Sequence, residues 1–205
     1  MDATKRQQQM RRGVTALRHQ FAQGGSGVFS AVLEGADAAQ IIETEAGHYR
    51  DRCYPPLTTL RLFIGQVLSE DGACQDVVGR HLSACVATGR RPCGLNTGPY
   101  CQARQRLPLA MPQRLSRMVG ERLESRMPKA WCWRGRHVKL FDGTTVSMPD
   151  TPENQRAFPQ SSEQKPGLGF PVARIGGLIS LASGAVLAHA VAACKGKGTG
   201  EQTLL

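Results

Sequence analysis

Residues 140–150, LFDGTTVSMPD, place a single carboxylate, Asp142, after an apolar strand-forming run and before glycine, two threonines and a turn marked by Pro149. A strand fixes the direction of a carboxylate at its end, and Gly143 leaves space beside it, so Asp142 could reach a divalent cation. The same residue could instead cap the turn that follows. Asp150 and Glu153, in PDTPEN, sit where turn and cap chemistry accounts for them. The five histidines (19, 48, 81, 137 and 189) show no metal-ligand spacing such as HExxH. No serine occupies a nucleophile elbow of the GxSxG kind. GKGTG at 196–200 departs from a phosphate loop, because Val191 stands at the place of its first glycine and Gly198 follows Lys197. Its glycines could open a helix toward an anion, or simply connect a strand to a helix.

The second candidate is electrostatic. The net charge of the chain is +10. Residues 1–89 hold 9 Lys/Arg and 9 Asp/Glu, and residues 140–205 hold 5 and 5. Residues 90–139 hold 12 basic residues against Glu121 and Glu124 alone, so the whole surplus lies in one block. Such a block is either an arginine-rich solvated face or a footprint for phosphates, whose binding releases condensed counterions; its concentration favours nucleic acid. Within it, Arg90 and Arg91 lie in the loop GRRPCGLNTG, and Tyr100, Gln102, Arg104 and Arg106 lie on a short helix. Arg114 and Arg117 follow on the next. Arginine and glutamine are the side chains that hold phosphates or read base edges. With the helix before it, the segment could form a helix-turn-helix, although its connection is longer than that motif's tight turn.

The elements that must hold these residues read as an α+β chain in two parts: residues 1–130, helical and DNA-binding, and residues 131–205, rich in strands. Helical patterns run over 5–20, over LRLFIGQVLSE capped by Thr58 or Thr59, and from Ala73 to about Val86. Leu60, Phe63, Ile64, Val67 and Leu68 recur as one buried face. GPYCQARQRLP, capped by Thr97, stops at Pro108. A further helix opens at Pro112 with Leu115, Met118, Val119, Leu123 and Met127 inward. Beyond Pro128, HVKLF alternates as a strand, 148–171 reads as a long loop, and VARIGGLISLA and AVLAHAVAA flank a turn at Ser183-Gly184. A last helix is expected near Glu201. The uncharged run 175–194 has the length of a membrane span, but its paired glycines and central Ser-Gly favour a hairpin. Seven cysteines, with no CxxC pair and no secretory signal, suggest reduced thiols in a cytoplasmic protein rather than a disulfide framework or zinc site.

KLFDGTTVSMPDTPENQRAFPQ, QKPGLGFPVARIGGLISLASGAVL and KGKGTGEQTLL, in this order, resemble the first part of the catalytic domain of insertion-sequence DDE transposases of the IS-four group. The resemblance covers 138–205 closely and 57–107 more weakly. It implies an RNase-H-like domain of which these are the first antiparallel strands, preceded by a helical DNA-binding region. It makes Asp142 the first member of an Asp-Asp-Glu triad that holds Mg²⁺ for phosphodiester attack. The second Asp and the Glu of that family fall beyond residue 205, and Asp150, Glu153, Glu163 and Glu201 lie at loop or helix-start positions. The resemblance therefore implies a fragment truncated before its other carboxylates, inactive alone, with its first strand lacking one neighbour. The implied partners are the DNA ends of an insertion element and either a full-length transposase or a separately encoded C-terminal part, with no membrane. The implied location is cytoplasmic, on the nucleoid when bound. A non-catalytic regulator of transposition is the alternative.

Overall fold

The computed structural model describes residues 35–194 except 51, 162, 164 and 166, together with residues 8, 12 and 33. Of the predicted helix over 5–20 only residues 8 and 12 are described, both helical, and the GGSG break and the helix near Glu201 lie outside the described residues. Six α-helices and three antiparallel strands are described, an α+β chain. No described helix is long and apolar enough to cross a membrane. The chain divides into two compact units, one ending at Leu115 and the other beginning at Ser116.

In the first unit, α1 (Ala36–Ala46) is rich in alanine, carries Asp37 in its first turn and stops at Gly47, whose φ of 59° suits only glycine without strain. α2 (Pro56–Leu68) starts earlier than its threonines suggest. Pro56 opens it, because the first helical turn needs no N–H from that residue. Thr59 is an interior residue whose hydroxyl donates to the carbonyls of Tyr54 and Pro55, each at 3.0 Å. The buried face is also rotated from the apolar stripe: Thr59, Leu60 and Gln66 are buried, while Phe63 and Val67 are exposed.

α3 (Cys74–Ala87) and α4 (Gly98–Gln105) agree with their predicted spans. Thr97 precedes α4 but makes no side-chain cap; Asn96 Oδ1 instead accepts from the Gly98 N–H at 2.9 Å. Val77, Val78 and Leu82 of α3 and Tyr100 of α4 form the buried cluster of this unit. Cys53 and Cys93 form a disulfide across 40 residues, which overturns the expectation of seven reduced thiols. The five remaining cysteines, 74, 85, 101, 132 and 194, are free.

α5 (Ala110–Ser125) spans the division between the units. Met111 and Leu115 are buried as the helical period demands, but Leu123 is exposed. In the second unit the sheet order is β1 (Lys139–Ser147), β2 (Val172–Ser180), β3 (Val186–Ala193), all antiparallel. The turn between β2 and β3 contains Gly184 at φ 68°, so the uncharged run is a hairpin as its punctuation predicts. Gly120 of α5 lies against β3: a Cβ there would stand 2.7 Å from the Val186 carbonyl oxygen. The predicted long loop contains a short helix, α6 (Pro152–Ala157), whose Thr151 hydroxyl accepts from the Asn154 N–H at 3.2 Å.

Candidate nucleic-acid interface

Helical periodicity divides the polar residues of α4 into two sets. Tyr100, Ala103 and Arg104 fall on one side, at i, i+3 and i+4, and Gln102 and Arg106 on another. The first side faces the core. Tyr100 is fully buried and donates its hydroxyl to Gln66 Oε1 at 2.8 Å; Arg104 Nη1 donates to the same oxygen at 2.7 Å. Gln66 Nε2 in turn donates to the Gly72 carbonyl at 2.6 Å. The Arg104 guanidinium also lies over the rings of Phe63 and Tyr100, 5.0 and 5.7 Å from their centroids. Burial raises the phenol pKa of Tyr100 above its ordinary value, against the opposing hydrogen bond and charge of Arg104. Tyr100 is therefore withdrawn from any nucleic-acid surface, a correction to the sequence reading, while Arg104 is half-buried and engaged with the core through Nη1.

The outward side of α4 meets the segment between α1 and α2. Together they line a cleft of about 720 Å³ that carries Arg50, Arg52, Gln102 and Arg106, with His48 and Tyr49 on its wall. All six are exposed. Three guanidinium groups and an exposed tyrosine ring around one depression are side chains of the kinds that can hold phosphates and offer a face for stacking. Asp51, between two of those arginines in sequence, lies outside the described residues.

The disulfide holds this arrangement. Cys53 follows Arg52 directly, and its partner Cys93 closes the loop that carries Arg90 and Arg91. Arg90 is further fixed by its backbone N–H to the Cys85 carbonyl at 2.8 Å and by Nε to Thr88 Oγ1 at 3.1 Å. Arg91 is exposed. His81, packed beneath, has its pKa lowered, chiefly by burial and further by the charge of Arg90, against a backbone hydrogen bond to Cys53. Arg114 pairs with Glu45 at 2.5 Å, which offsets its charge. Arg117 is exposed but belongs to the second unit.

Asp142 is the fourth residue of the nine in β1 rather than a strand end. The strand continues through Gly143 and the two threonines because β2 pairs with every one of them: Asp142 stands opposite Gly177, and Gly143 opposite Gly176. The side chain is exposed, and its Oδ1 accepts from the following Gly143 N–H at 2.9 Å. Glycines opposite leave room, but no second carboxylate flanks it in the sheet. Among the described residues no three of His, Cys, Asp and Glu are grouped so as to hold a metal ion. Among the described residues Asp142 therefore has no second carboxylate with which to hold an ion in fixed geometry.

Arg50 and Arg52 escaped the sequence reading because nine acidic residues cancel the basic ones over 1–89; the interleaved HYRDRCY was the available signal. No protein-family model, curated protein or solved structure matches the chain.

Proposed function

We propose that this chain is a DNA-binding protein of the insertion-sequence transposase type, with an RNase-H-like second part, that occupies element ends without cutting them. The observation that carries the binding role is the cleft on which Arg50, Arg52 and Arg106 converge beside Gln102 and Tyr49. It lies within the helical unit and adjoins the disulfide that ties down Arg90 and Arg91, so residues from two separate stretches supply one basic surface. The transposase assignment rests on the three ordered sequence motifs. The non-catalytic role is favoured by Asp142, which has no second carboxylate beside it among the described residues, and no cleavage step is assigned to it.

The test is binding of the full chain to duplex DNA carrying inverted terminal repeats, against a shuffled duplex, over a salt series. Each lost phosphate contact should lower the slope of log affinity against log salt by about 0.9. Arg50→Ala, Arg52→Ala and Arg106→Ala are expected to lower it one after another, and Asp142→Ala to leave it unchanged. Salt-independent binding, or equal affinity after all three arginine substitutions, would overturn the binding role. Equal affinity for terminal repeats and shuffled DNA would remove the transposase assignment. Mg²⁺-dependent nicking lost in Asp142→Ala would overturn the non-catalytic one.

A further inference from the structure

A two-residue turn in the second unit brings a thiol and an imidazole together. Arg134 and Gly135, at φ 50° and 76°, form the tip, and Trp133 and Arg136 bridge across it. The next residues outward, Cys132 and His137, are then cross-strand neighbours on one face, as such a hairpin requires. Cys132 Sγ lies 3.7 Å from His137 Nε2. The other ring nitrogen, Nδ1, lies 2.6 Å from Glu124 Oε1 at the end of α5. Glu124 Oε2 accepts from the Ser183 hydroxyl at 3.1 Å. Hydrogen bonding from Ser180 first, and then from His137 and Ser183, holds the Glu124 carboxyl below its ordinary pKa.

A carboxylate fixed on Nδ1 selects the tautomer whose Nε2 lone pair faces the sulfur. Nucleophile, base and orienting carboxylate thus stand in sequence, the relation that activates a thiol. His137 and Glu124, the two residues next in line from Cys132, which does not itself line it, border a cavity of about 850 Å³ that carries Arg117, Lys129 and Lys139 against Glu121. With Glu124 engaged by His137, cations predominate there.

We propose that Cys132 is a nucleophilic thiol site for small anionic electrophiles, with His137 accepting its proton and Glu124 positioning the imidazole. With iodoacetate as the probe, the sulfur attacks the methylene carbon, an S–C bond forms and the C–I bond breaks. Iodide leaves, and the thiol proton passes to His137 Nε2. No oxidant or reductant is required.

The experiment labels the full chain with iodoacetate or iodoacetamide under limiting reagent and follows each cysteine by peptide mass spectrometry. Cys194 is the internal reference, since it is free and also half-buried. Cys132 is expected to react on the order of tenfold faster than Cys194, because the thiolate is the attacking species. The preference for iodoacetate over iodoacetamide should exceed that of Cys194 and fall in Lys129→Gln. His137→Ala should remove the advantage, and added imidazole should restore it, which a merely structural histidine would not allow. Labelling of Cys132 no faster than Cys194 in the unsubstituted chain overturns the proposal without any variant. A rate unchanged in His137→Ala overturns the role of the base, and an absent iodoacetate preference overturns the anionic class.

Discussion

Tyr100 and Gln66, 34 residues apart in sequence, meet at 2.8 Å in the core of the helical unit, and Arg104 shares the same glutamine oxygen. The glutamine amide is satisfied at both ends, so a polar side chain is buried without a desolvation penalty left unmet. Gln66→Leu should therefore destabilise this unit by about 2–4 kcal/mol, since it strands the Tyr100 hydroxyl and the Gly72 carbonyl. Adding Tyr100→Phe should recover about 1 kcal/mol of that loss. Urea unfolding of the single and double variants checks both values.

The Cys53–Cys93 bond closes a 40-residue separation. Chain-entropy reasoning gives such a cross-link about 3–4 kcal/mol of stability. Reduction, or Cys93→Ser, should lower the melting temperature of the helical unit. It should also weaken DNA binding, because Arg52 and the Arg90-Arg91 loop lose their covalent connection. A reducing cytoplasm would favour that weaker state. Melting and anisotropy titrations with and without dithiothreitol read the two effects.

His81 supplies a pH dependence. Its folded pKa is lowered, mainly by burial, from an ordinary 6.5. Its contribution is fully present above 6.5 and is lost as pH falls through the folded value, because the unfolded state then binds the extra proton. Stability should therefore begin to decline below pH 6.5, ahead of the carboxylates. His81→Gln should flatten that part of the curve. Denaturant midpoints between pH 5 and 7.5 are the measurement.

Gly120→Ala should destabilise the second unit even though alanine is the better helix former. The added Cβ would meet the Val186 carbonyl oxygen at 2.7 Å and Leu187 Cα at 3.3 Å, both backbone atoms. Overpacking of this kind costs about 1–3 kcal/mol, against about 1 kcal/mol gained in helix propensity. Thermal unfolding decides the sign.

Local signals carried much of the fold. The β2–β3 hairpin was legible because strand alternation and a glycine turn are properties of adjacent residues. α3 and α4 were legible from periodicity and from the proline and glycine at their ends. What sequence could not show depends on distant partners. Tyr100 looks like a surface residue among Gln and Arg until Gln66 is set beside it, and Phe63 looks like core until Arg104 covers its face. Asp142 reads as a strand end because Gly143 weakens a strand; Gly176 and Gly177 across the ladder keep that strand going. α6 was hidden by its surroundings, since Thr151, Pro152 and Glu153 form a proper helix start inside a stretch rich in proline and glycine. Of the basic surface, Arg90, Arg91 and Arg106 were read from the charge count and Gln102 from its place on the short helix between arginines, while Arg50 and Arg52 were masked by that count.

The bond between Cys53 and Cys93 also makes a covalent ring that contains α2 and α3 whole. A protease that cut the exposed connection between those helices, at Glu70 or Asp71, would open the ring without releasing a fragment. The nicked chain would run as one band on a gel without reductant and as two with it, while the arginines on either side of the ring stayed tethered to one another.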